Sequence, residues 1–311
     1  MRRITTLTLN PAIDSACSVA GMRHTRKLRA SDERCDPGGG GINVARVIDR
    51  LGGRAHAIYL AGGATGALLD SLLDRAGLDR TRIDICGDCR ISHAIYERES
   101  GREYRFVPEG PIVTEPEWEA CLERLRHVTS DYLVVSGTLA RGVPEDFYVR
   151  VQAIARARGM ALVLDTSGPA LRRTLSAGGV FLVKPSIGEL EELVGRPLRA
   201  PKDLEETACR IVRAGQAEHV AVTMGHEGAL FVGHAGLSRL PAIAVEARSA
   251  VGAGDSFVGA MTFGFASGMD AGAAFRLAVA AGTAAVLTPG NDLCHRADVD
   301  RLLALLPPGG G

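Results

Sequence analysis

Short, continuous apolar runs alternate with stretches of helical spacing along most of this chain. Residues 4–9, 57–60, 132–135, 161–164, 180–183 and 220–223 each read as a strand buried on both faces. Between them lie segments of 3.6 period. Residues 42–51 carry Val44, Val47, Ile48 and Leu51 in register and stop at Gly52-Gly53, and 67–76, 145–158, 169–176 and 204–214 follow the same rule. Strand, helix and strand in repeated order predict an α/β fold with a mainly parallel sheet covered on both faces. Two stretches break the rhythm. Residues 16–35 and 91–107 are richer in charge and alternate apolar with polar positions (Ile91, His93, Ile95; Tyr104, Phe106), as expected of a small, separate antiparallel sheet. Such a sheet is suited to cover a site or to pair with another subunit. Residues 307–311 read as a disordered tail, and no solenoid repeat occurs.

Composition narrows the class. The 311 residues are 46% hydrophobic and 23% charged, as in a globular protein of one large domain or two modest ones. Thirty-six basic residues balance 36 acidic ones, which withholds support from a nucleic-acid or anionic-membrane partner. The run 277–287 is too short to span a bilayer, and Met1-Arg2-Arg3 lacks the apolar stretch of a secretory signal, so a cytoplasmic location is expected. Seven scattered cysteines make no disulfide framework, and no second pair completes a zinc site beside Cys86 and Cys89.

Chemistry concentrates in two places. Val251-Gly252-Ala253-Gly254-Asp255-Ser256 opens a long apolar segment that ends at Ala266. Unpaired N–H groups at a helix start suit an anion, and a carboxylate beside them can take a proton from a hydroxyl about to attack phosphorus. Asp255 as a plain N-cap beside a glycine turn is the competing reading. Upstream, four glycines at 38–41 precede Ile42-Asn43-Val44-Ala45-Arg46. They allow close backbone approach to a ligand, with the Asn43 amide suited to sugar hydroxyls; a flexible hinge is the alternative. Neither a phosphate-binding P-loop nor a dinucleotide fingerprint is present.

Together these two motifs resemble the PfkB (ribokinase-like) family of sugar kinases. The resemblance extends through Asn10-Pro11-Ala12-Ile13-Asp14, 61–66, 104–107, Lys184-Pro185, Ala280-Ala281-Gly282 and Leu293-Cys294. Gly40 stands where kinases of fructose 1-phosphate and tagatose 6-phosphate usually carry lysine, which favours the 6-phosphofructokinase branch. The resemblance implies a three-layer core over 1–311 as a single domain, with lid segments near 12–36 and 90–108. It implies ATP-dependent phosphorylation of fructose 6-phosphate at the 1-hydroxyl. Asp255 would be the base, and the N–H groups of Gly252, Ala253 and Gly254 would form an anion hole. Asp14, Asn43, Gly38 and Gly39 would hold the sugar. Arg90 with Thr138 would hold its phosphate, and Lys27 and Arg29 on the first lid strand would be further contacts, Lys27 across a homodimer formed through the lid. Lys184, Ser186, Thr223, Gly225, Gly228 and Thr283 fall on nucleotide positions. Mg²⁺ would ride mainly on ATP with Glu189 in the outer shell, and K⁺ would sit among carbonyls of Ser249, Val251, Ala285, Thr288 and Gly290.

Three departures from the family pattern bear on substrate more than on chemistry. Ser186 stands for asparagine, Thr138-Leu139-Ala140-Arg141 replaces a proline-bearing segment, and Asp292 replaces an arginine. Tagatose 6-phosphate and fructose 1-phosphate are the alternative substrates. Arg90 and Lys27 argue against neutral sugars, which would leave both cations unpartnered. A sugar-phosphate or nucleotide sensor without turnover is the alternative of another class. Ser186 permits it, and the intact 252–255 set argues against it.

Overall fold

The computed structural model describes residues 1–234 and 236–307; the tail expected to be disordered falls, beyond Pro307, outside the described residues. The chain opens on β1 (Ile4–Thr8), then leaves the core for β2 (Ala12–Val19) and β3 (Ser31–Gly38). It returns with α1 (Gly40–Arg50), β4 (Ala55–Gly62), α2 (Gly63–Ala76) and β5 (Arg80–Ile85), and leaves again for β6 (Arg90–Glu97) and β7 (Arg102–Phe106). The series then runs α3 (Glu115–Arg126), β8 (Tyr132–Ser136), α4 (Phe147–Ala157), β9 (Ala161–Asp165), α5 (Gly168–Ala177), β10 (Val180–Val183), α6 (Ile187–Val194), α7 (Pro201–Arg213) and β11 (Ala217–Thr223). A hairpin, β12 (Ala229–Gly233) and β13 (Gly236–Leu240), precedes α8 (Ala253–Ala266), α9 (Ala271–Ala285) and α10 (Arg296–Leu303).

The main sheet has nine strands in the order β13-β12-β11-β10-β9-β8-β1-β4-β5, parallel from β5 to β11 and antiparallel only at the hairpin. Its central strands are buried on both faces, and all but the threonine-rich β1 are largely apolar runs. Along β8, Tyr132 and Val134 join the cluster under α1, α2, α8, α9 and α10. Leu133 and Val135 join the opposite cluster under α3 to α7. The two-residue period of a strand thus feeds two helix layers, the three-layer core expected.

The smaller sheet has the order β3-β2-β6-β7. It was expected to be antiparallel, but β2 and β6 pair in parallel from Ala12 against Arg90 to Val19 against Glu97. The cause lies in the core. β2 continues from β1 and β6 from β5, two strands that run in the same direction, so both enter the small sheet in the same sense. Helices α1 and α2 begin at Gly40 and Gly63, earlier than their apolar periodicity suggests, because glycine-rich first turns look like loop in a sequence. The ends of β8 to β11 place Ser136, Asp165, Lys184 and Thr223 along one rim, the carboxyl edge at which open α/β sheets bind ligands.

Candidate active site

Asp255 is the third residue of α8, and the helix N-cap is Gly252, so the plain N-cap reading of Asp255 fails. Gly252 has φ 73°, and a Cβ there would lie 2.5 Å from Leu293 Cδ2 and 3.1 Å from Asn291 Oδ1. Only glycine fits that turn. No side chain caps the start of α8, which leaves the N–H groups of Gly252, Ala253 and Gly254 free of a capping side-chain oxygen at the positive end of the helix dipole. Burial pushes the Asp255 carboxyl up to about 7, and Asp165 adds to the shift; the hydrogen bond from Asn43 and the charge of Lys184 oppose it. A carboxyl poised there exchanges protons near neutral pH.

One hydrogen-bonded chain reaches this carboxylate, and an ion pair beside it acts through charge. On the β-strand side, Lys184 is 5% exposed, and its Nζ lies 3.0 Å from Asp165 Oδ1. Burial works against its charge, but Asp165 and Glu189 hold its pKa above the ordinary lysine value. It is therefore no surface charge. Ser136 Oγ donates to Asp165 Oδ2 at 3.1 Å. On the helix side, Asn43 Nδ2 donates to Asp255 Oδ2 at 2.8 Å, and Asn43 Oδ1 accepts from Arg46 Nη1 at 3.3 Å and from Asn291 Nδ2 at 3.2 Å. Asn291 Nδ2 also donates to Asp14 Oδ2 at 2.6 Å. Sequence reasoning singled out Asp14, Asn43, Lys184 and Asp255 but missed Asp165, Arg46 and Asn291. An acidic residue closing the apolar run of β9 was a readable signal for Asp165. Asn291, in a loop, offered none.

The sugar-side candidates divide. Gly38 lies against the Asp14 carboxylate, where any Cβ would collide, and Gly39, φ 107°, is the N-cap of α1. Burial raises the pKa of Asp14, and Arg90, Arg105 and Arg46 oppose that rise. Arg90 is partly buried and held by the carbonyls of Pro108 and Asn10, each at 3.0 Å, while its Nε is buried without a partner. Lys27 and Arg29 were expected on the first lid strand; they lie exposed in the irregular connection between β2 and β3. Thr138 is exposed in the loop after β8, and Arg141 is engaged with the Gly110 carbonyl and Glu109.

On the nucleotide side, Ser186 and Glu189 cap α6 reciprocally, Ser186 N donating to Glu189 Oε2 at 2.7 Å and Glu189 N to Ser186 Oγ at 3.3 Å. The shorter serine has thus become a helix cap. Ser186 also bridges to Thr223 in parallel. Gly225 and Gly228 shape the β11–β12 turn with φ 57° and 99°, and the Thr283 hydroxyl donates back to Val279 O at 2.9 Å within α9. The potassium candidates share one neighbourhood, since Arg248 N and Ser249 N both donate to Val286 O. The Ala285 carbonyl, however, already accepts from the Thr288 hydroxyl at 2.8 Å, and Gly290 packs against Ala16 of β2. Asp292 is met by Arg50 at 3.1 Å and Arg34 at 3.7 Å, which offset its charge locally, and His295 Nε2 lies 3.4 Å away. Among the described residues no group of three or more His, Cys, Asp or Glu side chains converges as a metal site, and no helix is long and apolar enough to cross a membrane.

Comparison with known proteins places this geometry. A family model described as pfkB family carbohydrate kinase matches residues 7–297. ATP-dependent 6-phosphofructokinase isozyme 2 of Mycobacterium tuberculosis (strain CDC 1551 / Oshkosh) is 43% identical over 305 residues, 97% of this chain and 89% of the relative. Its namesake in Escherichia coli (strain K12) is 39% identical over 307 residues, 98% of this chain and 99% of the relative. The crystal structure of phosphofructokinase-2 from Escherichia coli in complex with fructose-6-phosphate matches with a TM-score of 0.93 at 39% identity, over 98% of this chain and 99% of that one. That protein is also known in complex with potassium and in a tetrameric inhibited form.

Proposed function

This chain belongs to the pfkB family of carbohydrate kinases, and from that premise we propose that it transfers the γ-phosphoryl group of ATP to the 1-hydroxyl of fructose 6-phosphate. The observation that carries the reading is the Asp255 carboxyl, poised near neutrality beside uncapped helix N–H groups. In the step, the sugar oxygen forms its bond to phosphorus as the bridge to ADP breaks, and the hydroxyl proton passes to Asp255. The N–H groups of Gly252, Ala253 and Gly254 receive the charge that gathers on the phosphoryl oxygens, and Lys184 adds a buried cation beside them.

Asp14, Asn43, Gly38 and Gly39 would hold the sugar hydroxyls and Arg90 the 6-phosphate, since its Nη1 and Nη2 each spend one N–H on a carbonyl and keep a second for an anion. Lys27, Arg29 and Thr138, exposed in loops, would join only from a neighbouring subunit or a moved lid. Thr223, Ser186, Gly225, Gly228 and Thr283 would line the nucleotide. Magnesium would neutralise charge on the ATP phosphates, and the free oxygen of Glu189 would face its water shell. Main-chain carbonyls of Ser249, Val251, Thr288 and Gly290 suit a potassium ion, with Ala285 the weakest of the set. A lysine at position 40, usual in kinases of fructose 1-phosphate and tagatose 6-phosphate, would not fit here, since a Cβ there would strike Ser136 and Gly137; this supports the fructose 6-phosphate reading. A homodimer through the small sheet is the assembly we propose; the tetrameric form known for the Escherichia coli protein is a further state of that relative.

The test is ADP release with Mg-ATP and K⁺ across fructose 6-phosphate, tagatose 6-phosphate, fructose 1-phosphate and free fructose, ranked by kcat/KM. A lead for fructose 6-phosphate is expected. A lead for another phosphosugar keeps the chemistry and moves the substrate, and silence on all four with binding intact points to a sensor.

A further inference from the structure

Asn291 stands between the two carboxylates on which the proposed reaction depends. It is 3% exposed, in the loop between α9 and α10. Its Nδ2 bonds to Asp14 Oδ2 and to Asn43 Oδ1 use both hydrogens of the amide nitrogen. Its Oδ1 is buried without a partner. An unpaired buried acceptor costs about 1–3 kcal/mol, so what this position supplies is its pair of donors. The second bond reaches the base through Asn43. With Arg46 Nη1 and Asn291 Nδ2 both donating to its oxygen, the Asn43 amide has one favourable orientation, N–H toward Asp255 Oδ2. The opposite orientation would set its oxygen against the carboxylate and its N–H against two donors.

We propose that Asn291 is a positioning residue: it locks the Asn43 amide against Asp255 and turns the Asp14 carboxylate toward the sugar, so that one buried amide aligns the base with the sugar anchor. The inference rests on the phosphotransfer reading given above. Of the charged groups facing Asp255, Asp165 at the end of β9 and Lys184 just after β10 act independently of Asn291, whereas Asp14 acts from β2 and is bonded to it.

Asn291→Leu removes both donors at similar size, and Asn291→Ser keeps one and guards against a leucine variant that fails to fold. The leucine variant is expected to lose roughly 10–100-fold in kcat. The KM for the phosphosugar rises while that for ATP holds, and the serine variant recovers part of the loss. Combined with Asn43→Ala, it adds little to the kcat loss of Asn43→Ala alone, because both act through one contact. A residue that serves only stability would lower the melting temperature, leave kcat and both KM values in place, and add independently to Asn43→Ala. A substrate-free measurement completes the test: the ¹³C titration of the Asp255 carboxyl, assigned by its absence in Asp255→Asn. It is expected to move to higher pH in Asn291→Leu, because the Asn43 bond that holds it down loosens. An unmoved titration together with unchanged kcat and KM overturns the inference. Absence of turnover in the wild-type protein defeats the phosphotransfer reading instead, and the titration then decides the hold of Asn291 on Asp255 by itself.

Discussion

Asp255 carries a charge that the fold makes expensive, and this has two consequences of opposite sign. Its carboxyl is raised from 3.8 to about 7, chiefly by burial. The folded state therefore favours the protonated form, so the stabilisation is fully present below the unfolded pKa and is lost as pH rises through about 7. Asp255→Asn is expected to melt above the wild type at about pH 8, with a gain of up to about 4 kcal/mol that shrinks toward about pH 4. Thermal unfolding at both pH values checks this, and a gain of equal size at both would show that the carboxyl is not raised. Activity runs the other way, since a base works only when ionised: kcat/KM should fall on the acid side of about pH 7. Arg90→Ala is expected to raise the KM for the phosphosugar by roughly 10-fold or more, and the KM for ATP far less. Equal effects in initial-rate kinetics would remove Arg90 from the sugar-phosphate role. The carboxylate of Asp255 and the amide of Asn43 were legible because glycines flank them and their residue types match a proton transfer and a sugar hydroxyl. Asn291 was not, because its meaning lies in two bonds to residues 248 and 277 positions away.

At the scale of elements, the site depends on where strands end and one helix begins. β9 ends on Asp165 and β10 is followed directly by Lys184; their side chains are 13% and 7% exposed and form an ion pair in the rim. Asp165→Ala would leave a buried ammonium unpaired and is expected to cost about 3–5 kcal/mol. Asp165→Asn, which keeps a hydrogen-bonding oxygen, should cost less. Denaturant midpoints decide, and equal midpoints for wild type and Asp165→Ala would mean that water already serves Lys184. Most strands were legible as apolar runs, because cover on both faces favours apolar residues, as along Tyr132–Val135 of β8. β1 is buried too but carries Thr5, Thr6 and Thr8, whose β-branched side chains suit a strand. The direction of β6 beside β2 was not legible, because it follows from the sense in which β1 and β5 enter the small sheet rather than from any local pattern.

The whole molecule sets a three-layer core under a small sheet that exposes apolar side chains on both faces, since Tyr96 opposite Glu103 and Phe106 opposite His93 alternate in the register. Tyr96, Phe106 and Val107 are 41%, 51% and 54% exposed on or beside β6 and β7. If two copies pair through this sheet, Phe106→Asp should lower the molar mass found by sedimentation and weaken phosphosugar binding together. An unchanged mass would place the assembly on another face. The fold class and the order of its parts were legible across the chain, whereas the Lys27 segment, expected on a strand, carries no pattern that distinguishes strand from exposed connection. The central claim is that one carboxylate drives phosphoryl transfer in a site otherwise built for binding. The measurement that reaches it most directly is the turnover of Asp255→Asn, with the affinities for ATP and fructose 6-phosphate determined on the same variant by calorimetry. The account predicts a loss of about 10²–10⁴-fold in kcat with both affinities nearly unchanged; turnover close to the wild type, with both ligands bound, would contradict it.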